Sequence, residues 1–129
     1  MTNTPRLAAS APIVPVRDVD ASVRFYVSVL GFERVFVAAD RSTGEVARDG
    51  ARIMFVACED AETLSVTASN MSVYLHVEGL DALWRELAEG LNALPRNRVR
   101  APFDQDYGMR EFHVKDADGF LMFFGETLP

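Results

Sequence analysis

The chain has 129 residues, 49% of them hydrophobic and 25% charged, with a formal net charge of −6. That length fits one compact domain with a real core and is too short for two independent ones. The single Cys58 excludes an intrachain disulfide framework and any zinc site built on several cysteines, which suits a reducing cytoplasm, and the acidic balance argues against nucleic acid, which calls for a basic surface.

Residues 1–10 are polar, with no basic segment leading into an apolar run, so no secretory leader is expected. No stretch approaches 18 uninterrupted apolar residues, so no membrane span is expected either. Residues 11–17 read as a short strand whose Pro15 lacks an amide donor and belongs at a sheet edge or bulge. Asp18 or Asp20 can cap a following helix with an apolar stripe of Val19, Val23, Tyr26, Val27 and Leu30, stopped by Gly31. Strands follow at 32–39, 44–48 and 51–58, and the polar, small-residue segment 59–70 reads as a linker.

A strand at 71–77 then leads into a second helix with the stripe Leu80, Trp84, Leu87, Ala88 and Leu91, where Trp84 is expected to pack into the core. Strands at 97–103, 109–115 and 120–126 close the chain. Arg96, Arg98 and Arg100 alternate, so an extended segment would project them from one face, as a solvated edge or as an anion clamp.

The second half repeats the first. VPVRDVDASVRFYVSVLG from Val14 aligns with LHVEGLDALWRELAEGLN from Leu75, and Val16/Val77, Asp20/Asp81, Ala21/Ala82, Arg24/Arg85 and Leu30/Leu91 are identical. That is five of sixteen positions between Val16 and Gly31, where ordinary residue frequencies give roughly one. DGARIMF from Asp49 is echoed by DGFLMFF from Asp118. The expected fold is therefore α+β: one domain over 1–129, with βαβββ modules at 11–58 and 71–126 and the helices outside an open, curled mixed sheet.

Strand alternation sorts the faces. If Val14, Val16, Ile53 and Phe55 lie under the first helix, Ile13, Arg52, Met54 and Val56 turn toward a cleft. In the second half Val73, Leu75, Met122 and Phe124 lie under the helix, leaving Ser72, Tyr74, His76, Leu121 and Phe123 for the cleft. Met109, Glu111 and His113 share a face, on which a Glu111–His113 pair can do acid–base work or simply be neighbours on an exposed sheet. Tyr107, in the loop DQDYGM, can cap the cleft or form an ordinary turn.

VPVRDVDASVRFYVSVLGF near the start and YGMREFHVKDADGFLMFFGE near the end resemble the vicinal oxygen chelate superfamily, which holds glyoxalase I, the bleomycin resistance proteins and the extradiol dioxygenases. The resemblance covers roughly residues 11–126, with Ala117 where the family's closing hairpin usually has proline. It implies paired βαβββ modules, homodimers and, in the enzymes, a divalent metal in the cleft. By position the implied ligands fall at Ala11, Met54, Ser72 and Phe123, none of which offers nitrogen or carboxylate.

The expectation is thus a protein without metal or cofactor, similar to the bleomycin-resistance branch. It would hold an aromatic or cationic compound, such as a glycopeptide antibiotic, in a dimer-interface cleft through Ile13, Arg52, Met54, Ser72, Tyr74, His76, Tyr107 and Phe123. The alternatives are a metal-dependent lyase, isomerase or dioxygenase of the same superfamily, and metal-free catalysis around His76 or the Glu111–His113 pair.

Overall fold

Each half of the chain builds a four-stranded mixed sheet with a helix on one side. The computed structural model describes residues 3–129. In the first half β1 (Ile13–Val16), α1 (Val19–Ser28), β2 (Glu33–Val37), β3 (Thr43–Arg48) and β4 (Ala51–Ala57) form a sheet of order β1-β4-β3-β2. After α2 (Ala61–Asn70), the second half repeats it with β5 (Ser72–His76), α3 (Leu80–Asn92), β6 (Val99–Asp104), β7 (Met109–Lys115) and β8 (Leu121–Thr127), in the order β5-β8-β7-β6. The leading strand runs parallel to the closing strand in both sheets, so Ile13 faces Met54 and Tyr74 faces Phe123. Pro15 accordingly sits on an edge strand, where its missing donor costs no ladder bond. No helix is long and apolar enough to cross a membrane, among the described residues.

The helices form where the stripes place them. Asp18 accepts a hydrogen bond from the Ala21 amide and caps α1, whose Val19, Val23 and Tyr26 are buried; Leu30 just beyond it is buried too, while Val27 lies at the stripe's margin and is half exposed. Gly44 of β3 lets α1 approach closely, because a β-carbon there would lie 2.8 Å from a Val19 methyl. The first residue of α3 follows Gly79, which has no capping side chain. Glu126 of β8 supplies the cap instead, accepting from the amides of Gly79 at 2.7 Å and Leu80 at 3.0 Å.

Three readings need correction. Segment 59–70 contains a ten-residue helix, α2, capped by Asp60; only Leu64 of it is buried, so no apolar stripe announced it. Arg96–Arg98 forms a 3-10 turn after Pro95, and β6 begins only at Val99. The three arginines therefore share no face: Arg98 donates to the Lys115 carbonyl and lies 5.2 Å from the Phe25 ring, whereas Arg100 covers Phe103.

The modules meet along their helix-bearing sides. Val14, Val16, Ile53 and Phe55 from one sheet, Phe112, Val114, Met122 and Phe124 from the other, and Tyr26, Leu80, Leu87 and Leu91 from the helices belong to one core. Trp84 packs edge-on against Phe112, with centroids 5.2 Å apart. Polar ties also join the modules, including a surface pair of Arg17 with Asp118. The Tyr26 hydroxyl, fully buried, donates to Asp116 at 3.0 Å, and Arg48 forms a bidentate pair with Glu86 at 2.7 and 3.1 Å. Burial pushes the Asp116 carboxyl up, although the Phe120 amide and Tyr26 favour its charged form.

Candidate functional site: an aromatic face over a buried carboxylate

The sheet faces turned away from the helices carry the polar and aromatic groups. On the second sheet the centre is Glu111 of β7, which is fully buried. A buried carboxylate needs donors, and four converge on it. Tyr107 donates at 2.6 Å, Tyr74 at 2.8 Å and the Gln105 amide at 3.1 Å, while His113 Nε2 lies 2.8 Å away. Burial alone would raise its pKa; the four hydrogen bonds outweigh it and hold the carboxyl at about 2. Glu111 is therefore ionised at neutral pH. Burial and this carboxylate together push the Tyr74 hydroxyl up, and the bond to Glu111 does the same to Tyr107.

Local sequence explains how Tyr74 gets there. Gly125 of β8 stands between β5 and β7, paired with Glu111. The Tyr74 side chain crosses over it, and a β-carbon at 125 would collide with the phenol. Tyr107 arrives from the turn before β7, where Gly108 has φ +84°. Tyr107 is 61% exposed even though its hydroxyl is tied to Glu111, so it stands as an open aromatic group at the edge of the site. Further rings surround this centre. Tyr74 and Phe123 lie nearly parallel at 5.8 Å, His76 is 4.8 Å from Tyr74, and His113 is 4.4 Å from Phe123 and 5.1 Å from Phe103.

Of the residues expected in a cleft, Tyr74, Phe123, His76 and Tyr107 lie together on this face. Ser72 lies at the exposed start of β5, beside Leu121. Ile13, Met54 and Arg52 occupy the corresponding face of the first sheet, where Ile13 is 62% exposed and Arg52 is bonded to Glu45 at 2.7 Å. The two faces lie on separate sheets. A groove of about 900 Å³ runs between the β3–β4 turn, β5 and α3; Arg52, Tyr74 and His76 reach it, whereas Ile13, Met54, Ser72, Tyr107 and Phe123 do not. Sequence reasoning saw that Glu111 and His113 share a face, but the face is no exposed sheet. Tyr74, from another strand, and Tyr107, from the turn before β7, both bond to Glu111, and the Gly125 gap that admits Tyr74 was the signal in the sequence.

Metal ions do not suit these residues. The positions corresponding to the superfamily's ligands carry a methyl, a thioether, a hydroxyl and a phenyl at Ala11, Met54, Ser72 and Phe123. Glu45 is already matched by Arg52 and Glu111 by its four donors, and no group of three His, Cys, Asp or Glu is placed to hold an ion among the described residues.

Two βαβββ modules, each pairing its leading strand in parallel with its last, define the class of tandem-module α+β proteins. The model of the Glyoxalase/Bleomycin resistance protein/Dioxygenase superfamily matches residues 7–124, and the chain belongs to that superfamily. Among solved structures, it is similar to the bleomycin-binding protein from bleomycin-producing Streptomyces verticillus, complexed with copper(II)-bleomycin. That likeness has 28% identity and a TM-score of 0.74, and it covers 98% of this chain and 99% of that one. The bleomycin resistance determinant encoded on the transposon Tn5 is 27% identical, with a TM-score of 0.73, over 92% of this chain and 96% of that one. TnmS3, an antibiotic binding protein from Streptomyces sp. CB03234, shares the fold at 19% identity and a TM-score of 0.70, over 97% of this chain and 99% of that one. A comparison with curated proteins gave no match.

Proposed function

We propose that this protein binds and sequesters an aromatic, cationic small molecule of the bleomycin type in the cytoplasm, without metal and without transforming it. The observation that carries the reading is the donor set: Ala11, Met54, Ser72 and Phe123 can line a pocket but cannot activate an oxygen. The likeness over nearly the whole chain to a bleomycin-binding protein supports the same class of guest. So does the formal charge of −6, which draws in a cation.

The cleft requires a second copy. Ile13, Val56 and Phe36 leave an apolar, half-open surface on the first sheet, and the rings around Glu111 leave an aromatic one on the second. A two-fold pair of chains lays each first-sheet face opposite the partner's second-sheet face and makes two equivalent clefts. Ile13, Arg52 and Met54 then line one wall, and Tyr74, His76, Tyr107 and Phe123 the other.

Calorimetric titration of chelator-treated protein with bleomycin, together with sedimentation, tests this. The expected result is a dimer that binds one ligand per chain, with a thermal stabilisation that follows free ligand concentration. Absence of heat overturns the antibiotic reading. About one equivalent of tightly held metal per purified chain would replace it with a metal-dependent lyase, isomerase or dioxygenase.

A further inference from the structure

The second module holds a carboxylate that makes no contact with lysine or arginine among the described residues. Of the four groups bonded to Glu111, only His113 can carry positive charge. The first module is built differently, because its outward carboxylate, Glu45, is matched by Arg52. Glu45 stands opposite Met54 and Glu111 opposite Gly125, so the two carboxylates hold different register positions, and only Glu45 has an arginine partner. Arg100 does not serve Glu111 in that role, since its guanidinium lies over Phe103, 3.4 Å from the ring centroid.

Rings surround the Glu111 carboxylate instead. Tyr107 is largely exposed with its hydroxyl on the carboxylate, and Tyr74, also bonded to it, stacks with Phe123. A negative charge shielded from water attracts a cation more strongly than an exposed one does, and aromatic faces add to that attraction. An anionic guest would meet the Glu111 charge instead.

We propose that the face formed by Tyr74, Tyr107 and Phe123 over Glu111 is the subsite for the positively charged group of the ligand, a protonated amine or amidinium. This rests on the reading that the face binds a small molecule, and it divides the labour of the cleft: the second module takes the charge, and the apolar first-sheet wall of Ile13, Met54 and Val56 takes the flat or aliphatic part.

The test compares benzylamine, protonated at pH 7, with benzyl alcohol, its neutral counterpart, by NMR titration of the 129-residue protein. Benzylamine is expected to bind about tenfold more tightly or better, with the largest shifts at Tyr74, Tyr107, His113 and Phe123. In Glu111→Gln the two ligands should bind alike. Equal affinity in the wild type, or shifts confined to other surfaces, overturns the proposal; these wild-type measurements decide it even where the variant does not fold. Bleomycin separates this from the reading beneath it. If bleomycin fails to bind while benzylamine keeps its preference, the antibiotic reading falls and the subsite stands. If bleomycin binds wild type and Glu111→Gln equally and benzylamine shows no preference, the subsite falls and the antibiotic reading stands.

Discussion

The Glu111 cluster makes a quantitative prediction about acid stability. Its carboxyl sits at about 2, against an ordinary value of 4.5. Each unit of difference is worth about 1.4 kcal/mol, so the ionised group stabilises the fold by about 3 kcal/mol at neutral pH. A depressed folded pKa means that this stability is present above the unfolded value and is lost as pH falls toward 2. Glu111→Gln removes the charge and turns an amide donor toward Tyr74, Tyr107 and Gln105, which are donors themselves. Urea unfolding of both proteins, followed by circular dichroism between pH 6 and pH 3, isolates the group because every other carboxylate is common to the pair. The stability gap should narrow by about 2 kcal/mol over that range. A gap that does not change with pH would refute the network as described.

Asp116 works with the opposite sign: burial raises its carboxyl, so the folded state holds its proton longer and stability declines as pH rises above the ordinary value of 3.8. Asp116→Asn should flatten that decline in the same urea series. Tyr26→Phe removes the buried tie between the modules and should cost about 2 kcal/mol, read as a lowered urea midpoint. Gly125→Ala should displace Tyr74 and cost about 1–3 kcal/mol. Combined with Tyr74→Phe, the loss should be less than additive, because both changes break the same bond to Glu111. Ile13→Glu, at a position open to solvent in the single chain, should change chain stability by no more than about 0.5 kcal/mol, yet sedimentation should show the proposed dimer dissociated.

Architecture was legible because duplication constrains it: the two helical stripes and the two closing hairpins each had to mean the same thing twice. Face sorting followed for β1, β4, β5 and β8, where strict alternation buries Val14, Val16, Ile53, Phe55, Met122 and Phe124. What escaped was whatever depends on contact between distant segments. Leu64 alone gives α2 no periodicity to detect. Glu126 of the closing motif serves as a helix cap, a role that strand alternation does not show. A residue such as Glu111 in an alternating strand reads as solvated until Tyr74, passing over a glycine, and Tyr107, reaching back from a turn, bond to it.

The Tyr26–Asp116 bond and the core it crosses also bear on how the chain comes apart. A repeat whose units each own a finished interior can lose one and keep the other. Here one oily interior runs through both halves, so melting should proceed in a single step. A backbone nicked within α2 should stay associated, the pieces acting as obligate mates.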